Sequence, residues 1–234
     1  MPQLPKFKMP PKRFQPKGTS VLYEDNDILV VDKRSGLLTV GNEKVREQTA
    51  FYLLNDYVRK GNSKSKNRIY VVQLLDKDTS GVIIFAKTEK AKYFLQDNWQ
   101  NFKNLYCAVV NGILEKKEGL ISSYLTENSV HKVYSTNDST KGKLAETGFK
   151  VLKESTNHSL IELDLLSSRK NQIRVHCAEN GFPILGDKKY GKNNSGIKRL
   201  ALHSYSLTIL HPYTKEEMTF TTKIPSYFQS LLKT

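Results

Sequence analysis

At 234 residues, the chain can bury a good core as one large domain or two small ones, and 38% hydrophobic with 26% charged residues is the composition of a soluble globular protein. No apolar run approaches the roughly 20 residues that a membrane span requires, which excludes a transmembrane class. Thirty-seven Lys and Arg against 23 Asp and Glu leave a net charge of +14. That excess favours a polyanionic partner, usually nucleic acid, through release of phosphate counterions, although a merely basic surface accounts for it as well.

Residues 1–17 hold five of the eight prolines and five Lys or Arg with no acid. Prolines at this density prevent a regular helix, so 1–18 reads as a flexible basic arm, able to touch phosphates or simply to hang free. Neither a signal peptide nor a transit helix is present. VLYEDNDILVVDKRSGLL then places two apolar runs around Glu24–Asp27, a hairpin signal, with Ser35-Gly36 ending the second run. In TAFYLLNDYVRK, residues 49–60, Phe51, Leu54 and Val58 recur at helical spacing. KGNSKSKNR, residues 60–68, is a basic loop, either a phosphate contact or a solvated connector.

The stretch VVQLLDKDTSG (71–81) presents Asp76 at the end of an expected strand, followed by a polar turn. Val82–Ala86 is expected as a buried strand. Thr88 is placed to cap a helix whose apolar face is Ala91, Phe94, Leu95, Trp99 and Phe102, a core stripe. LYCAVVNGIL (105–114) is strand-like, and SLIELDLL alternates as a half-buried strand does. QIRVHCAEN (172–180) is a short helix with Gly181 closing it. Cys107 and Cys177 fall in apolar or helical runs and read as buried thiols of a reducing, cytoplasmic compartment. No zinc spacing occurs among His176, Cys177, His203 and His211, so no metal is expected. Strands and helices mix without a βαβ rhythm, which favours an α+β class: a mixed, mainly antiparallel sheet with flanking helices and a central cleft, and no clear internal boundary.

Two chemistries compete for Asp76. DKDTSG fits the Asp-x-Asp-x-Thr of phosphatases that form an aspartyl-phosphate, but those require Mg²⁺ held by further carboxylates. Here the only later Gly-Asp, in GDKKYG (186–191), lacks a second aspartate. The other blocks point elsewhere. LLDKDTSG resembles the LDxxTSG signature of RNA pseudouridine synthases, and NLYCAVVNG (104–112) their KxYxAVVxG strand. SSRKNQIRVHCAENGFPILGDKKYG (167–191) is similar to their TGRTHQIRVHLAxxGxPILGDxxYG. LALHSYSLTILHP (200–212) resembles ALHAxxLxFxHP, and YEDNDILVVDKRSGL (23–37) resembles YEDxxLLVVNKPAGL. Five blocks in order, over about residues 20–230, make the chain similar to the RluA-type family.

The resemblance implies that 19–234 is one catalytic domain, with too few residues before Tyr23 for the small S4-type RNA-binding domain of many relatives. It implies isomerisation of a uridine in tRNA or ribosomal RNA, in a stem-loop recognised by shape, by a monomer with no cofactor and no metal. Asp76 would be the nucleophile, on the ribose C1′ or the uracil C6. Arg174 would pair with Asp76, and Tyr106 would lie against the flipped uracil and help remove the C5 proton. Gln73, Leu74, Thr79, Arg169, Lys170 and Gln172, in the matched loops, would contact the RNA. Taken one at a time, Asp76 serves equally as a turn residue, Arg174 as a surface helix residue and Tyr106 as a core aromatic.

The chain also departs from the family pattern. Gln73-Leu74 stands where His-Arg is usual, Lys33-Arg34-Ser35 where Lys-Pro-Ala is usual, and Lys170-Asn171 where Thr-His is frequent. The loss of His-Arg motivates a rival of another class, a non-catalytic RNA-binding or assembly factor that keeps the fold.

Overall fold

The computed structural model describes residues 7–41, 43–62, 64–191 and 196–233. In chain order the elements are β1 (Thr19–Glu24), β2 (Ile28–Lys33), α1 (Ala50–Arg59), β3 (Tyr70–Val71), β4 (Ser80–Ala86), α2 (Glu89–Asp97) and β5 (Lys103–Asn111). There follow β6 (Glu118–Glu127), β7 (Val133–Thr136), β8 (Lys143–Glu154), β9 (His158–Leu165), α3 (Gln172–Glu179), β10 (Leu202–Leu210), β11 (Glu217–Thr221) and α4 (Ser226–Leu231). The class is α+β, as expected. The chain divides into two compact units, Met1–Phe102 with Ser206–Thr222, and Lys103–Tyr205 with Lys223–Thr234. One division point lies inside β10 and another just before β5, so no linker composition marks either.

In the first unit, β2 pairs antiparallel with β1 on one side and β4 on the other, and β3 adds two residues to β4. β2 and β4 are buried along almost their whole lengths, which is why ILVV and VIIFA are unbroken apolar runs. Their inward residues Ile28, Val30, Val82 and Ile84 pack with Ala91 and Leu95 of α2, and with Leu207, Ile209 and Phe220 of the β10–β11 hairpin. α2 starts at Thr88, whose hydroxyl accepts the Ala91 N–H at 3.1 Å. The buried His211 ring clasps the β1–β2 turn. Its Nδ1 accepts backbone N–H groups of Tyr213 and Thr214, so the proton sits on Nε2 and is donated to Asp25 at 2.8 Å.

The segment read as an arm lies outside the described residues over its first six positions. Over residues 7–18 it is tied to β1: the Gln15 amide donates to Pro10 O at 2.8 Å and accepts the Val21 N–H at 2.7 Å. Among the described residues, no helix is long and apolar enough to cross a membrane.

In the second unit the strands run β5-β9-β8-β6-β7, each pair antiparallel. α3 contributes Val175 to a small cluster with Leu125, Val133 and Ala145. Gly181, at φ +86°, ends α3 in the conformation expected of it. Both cysteines are buried, and burial pushes the Cys107 thiol up to about 12 and Cys177 up as well, so neither is a reactive thiolate.

Candidate active site

Asp76 does not stand at the end of a strand. β3 stops at Val71, and 72–79 is irregular, with the Leu75, Lys77 and Asp78 carbonyls taken by residues 33–39 rather than by a ladder. Thr39 Oγ1 donates to Leu75 O at 2.7 Å, and Gly36 N and Lys33 Nζ donate to Lys77 O at 2.9 and 3.2 Å. Ser35 Oγ donates to Asp78 O at 2.8 Å, and the Thr79 N–H closes onto Asp76 O at 3.2 Å. Four successive carbonyls are therefore fixed, while the Asp76 residue itself stays half-buried. Ser35, where the family pattern has alanine, supplies one of the four. On the same loop Thr79 and Leu75 are buried, and Leu74 is 62% exposed. Gln73 is half-buried, and its Nε2 meets no hydrogen-bond partner among the described residues. Gln73 Nε2 is itself buried, and of these side chains Leu74 is the one that faces solvent.

Lys33 is the unexpected member of this group. It is fully buried, with Nζ donating to Leu37 O at 2.8 Å besides Lys77 O. Burial pushes its ammonium down to about 8, against the opposing pull of Asp76, Asp78 and Asp32. The folded value lies below the ordinary 10.5, so between pH 8 and 10.5 the unfolded chain binds more protons and stability rises with pH. The rise amounts to about 3 kcal/mol. Urea unfolding across this window is expected to show wild type gaining that amount over Lys33→Met. A difference between the two that stays constant with pH would contradict a buried ammonium at this position.

In the second unit, Arg174 projects from α3 and grips Asp187 as a fork, Nε to Oδ2 and Nη2 to Oδ1, each at 2.7 Å. Nη1 also donates to Asn171 Oδ1 at 3.1 Å, and the guanidinium lies 5.2 Å from the Tyr190 ring centroid. Asp187 is buried at 1% exposure and accepts the N–H groups of Lys189 and Tyr190. Burial would raise its carboxyl, but the Arg174 fork and those N–H groups hold it below the usual carboxylate range. The preceding Gly186 is obligatory: at φ +76° any Cβ would lie 2.1 Å from Arg199 O. Asp187 was not singled out from sequence; its signal was the Gly-Asp of GDKKYG, weighed only against the phosphatase reading.

Tyr106 is buried on β5, opposite Leu163 of β9, with its hydroxyl 3.4 Å from Asn104 Nδ2. Gln172 is also buried. Its amide donates to Glu146 O and Thr147 Oγ1 and accepts from Ser167 Oγ and the Arg169 N–H, so all four of its bonds hold the 167–169 loop onto β8. Arg169 and Lys170 are exposed; the first donates to Leu144 O at 3.1 Å and the second pairs with Glu127. Of the residues singled out, Gln73, Leu74, Asp76 and Thr79 thus share one loop of the first unit. Tyr106, Arg169, Lys170, Gln172 and Arg174 belong to the second.

A family model described as RNA pseudouridylate synthase matches residues 27–179, a span that contains Asp76, Tyr106 and Arg174. A Bacillus subtilis protein named uncharacterized RNA pseudouridine synthase YhcT is 34% identical over 218 residues, 92% of this chain and 71% of that one. The chain belongs to the RNA pseudouridine synthase family. Ribosomal large subunit pseudouridine synthase C of Buchnera aphidicola is 33% identical to this synthase over 230 residues, 92% of this chain and 70% of the relative. The solved structure of human RNA pseudouridylate synthase domain containing 4 shares the fold, with a TM-score of 0.76 at 22% identity and 91% of each chain covered. The synthase is therefore an isomerase that modifies RNA, and the phosphatase reading of DKDTSG is set aside.

Proposed function

We propose that this synthase isomerises a uridine in a stem-loop of ribosomal RNA or tRNA, as a cytoplasmic monomer, with Asp76 as its nucleophile. The observation that carries the reading is the clamp on Asp76: four fixed carbonyls hold the loop, so the carboxylate is presented without reorganisation. The name of the Buchnera relative supports a ribosomal substrate. In the reaction the N1–C1′ bond breaks, the uracil turns, and a C5–C1′ bond forms. C5 then loses its proton and N1 gains one, so nothing is oxidised or reduced. The Asp76 carboxylate adds to the ribose C1′ or the uracil C6 and later leaves. Arg174 is the cation that serves the Asp76 carboxylate, and Tyr106 supplies a flat ring for the uracil and a hydroxyl for the C5 proton. Arg169 and Lys170, both exposed, hold phosphates, and the Gln73-Leu74 pair lies against the RNA.

The uridine leaves its stack at a cost of a few kcal/mol. Leu74, exposed two residues before Asp76, fills the gap as an apolar wedge. Leu74→Ala is expected to lower kcat/KM by about tenfold, and Leu74→Arg to change the rate or the uridine chosen. Wild-type rates and sites in both variants would remove the residue from the mechanism.

Pseudouridine has the mass of uridine but a different retention, so nucleoside chromatography tests the function itself. RNA from cells lacking the synthase should gain a pseudouridine peak, and lose uridine in equal amount, when the protein is added. An unchanged profile after incubation with folded protein would contradict the reading.

A further inference from the structure

The first unit carries two adjoining clefts that the Asp76 chemistry does not use. One, of about 350 Å³, is lined by Arg46, Phe51, Tyr52 and Arg59 beside α1. The other, of about 600 Å³, is lined by Asn26, Lys66, Asn67 and Lys87. Arg68 and Tyr70 line both, so the two make one trough. Five cations (Arg46, Arg59, Lys66, Arg68 and Lys87) face it against two carboxylates, Asp56 and Glu89. Lys87 is matched to Glu24 at 2.7 Å, which leaves four cations, three of them arginines, against those two carboxylates, a net positive lining for a ligand. Among the rings, Tyr52 is 37% exposed, and Phe51 and Tyr70 are half-buried.

The trough is built rather than incidental. Arg59 Nε donates to Asn67 O at 3.2 Å, Asn67 Nδ2 to Val58 O at 3.3 Å, and the Ile69 N–H to Asn55 Oδ1 at 3.0 Å. These bonds fold the basic loop back onto α1, although most of its described residues remain exposed. They hold Arg59 and the backbone on either side of Arg68 in place before any ligand arrives, which reduces the entropy lost on binding. Cations interleaved with exposed rings suit a single strand, whose phosphates are gripped and whose unstacked bases find a ring. A duplex keeps its bases stacked and has no use for Tyr52. Tyr70 also lies only six residues before Asp76, so the chain itself limits their separation to about 20 Å.

We infer that this trough holds the single-stranded RNA flanking the reacting uridine, with phosphates on Arg46, Arg59, Lys66 and Arg68 and a base stacked on Tyr52. The inference rests on the reading that the synthase acts on uridine in structured RNA.

The test uses the full chain, a fluorescent ten-nucleotide oligouridylate, and RNA tritiated at uridine C5. Tyr52→Ala is expected to weaken oligonucleotide binding about tenfold. Arg46→Gln with Arg68→Gln should flatten the slope of log K against log salt by about 1.4, and Lys66→Gln alone by about 0.7. All these residues are solvent-facing, and unchanged melting temperatures would exclude misfolding. Wild-type affinity and slope in every variant would overturn the trough and assign the clefts to another partner, a protein among them. Failure of the wild type to bind the oligonucleotide would overturn it as well. Trough-dependent binding without any tritium release would sink the isomerase reading and leave the trough standing; release with variant-insensitive binding would do the reverse.

Discussion

Asp76→Asn is expected to lower the formation of pseudouridine on the order of 10⁴-fold or more, while the Kd for RNA stays within about threefold. The substitution removes the charge and the nucleophile and keeps the shape. The loop is held through its backbone, at Leu75 O, Asp76 O, Lys77 O and Asp78 O, so its course does not depend on the Asp76 carboxylate. The proposed RNA contacts come from cations elsewhere, so binding and turnover should separate cleanly. A variant that loses both in proportion would make Asp76 a binding residue. One that retains turnover would place the nucleophile elsewhere.

Arg174→Ala is expected to cost about 3–5 kcal/mol of stability, because it strands the buried Asp187 carboxylate without its fork. For a chain of this size, that is a fall in Tm of roughly 10 °C or more. Arg174→Lys keeps the charge but not the two parallel bonds, and should fall between wild type and alanine. The pH dependence has a definite sign. In wild type the Asp187 carboxyl is depressed, so its contribution is complete above the ordinary value of 3.8 and is lost as pH falls through the lower folded value. In the alanine variant, burial without the cation favours protonation, so the damage should be largest near neutral pH and shrink on acidification. Melting curves of the three proteins at pH 7 and in acid check this. A variant as stable as wild type at pH 7 would mean that the fork contributes nothing.

The elements that could be read from sequence are those whose burial imposes a period. The β1–β2 hairpin, α1 with Leu54 and Val58 inward, the fully buried β4, and α2 behind its Thr88 cap all follow from apolar spacing and turn residues. β6 and β8 did not follow. Within EGLISSYLTE only Ile121 and Leu125 are buried, and much of the twelve-residue β8 is exposed. Such strands are held by ladder bonds to neighbours on both sides, and hydrogen bonding leaves no hydrophobic signature. The same blindness misplaced the end of β3. Nothing in VVQLLDKD announces that side chains from 33–39 will take the carbonyls of Leu75, Lys77 and Asp78. The site shows the same division. Asp76, Tyr106 and Arg174 are candidates through the sequence blocks that carry them. Asp187, the ion partner of Arg174, and Lys33, buried beneath the Asp76 loop, became visible only when long-range contacts were in place.

The most direct test of the central claim, that the Asp76 carboxylate drives isomerisation of uridine, is tritium release from RNA labelled at uridine C5. The RNA should come from cells lacking this synthase, since carbon–carbon bond formation at C5 expels that hydrogen whichever uridine is chosen. Wild type is expected to release tritium and Asp76→Ala to release none. Release by both proteins would contradict the role of Asp76. Release by neither, with folded protein and bound RNA, would contradict the isomerase reading and leave a protein that holds RNA without changing it.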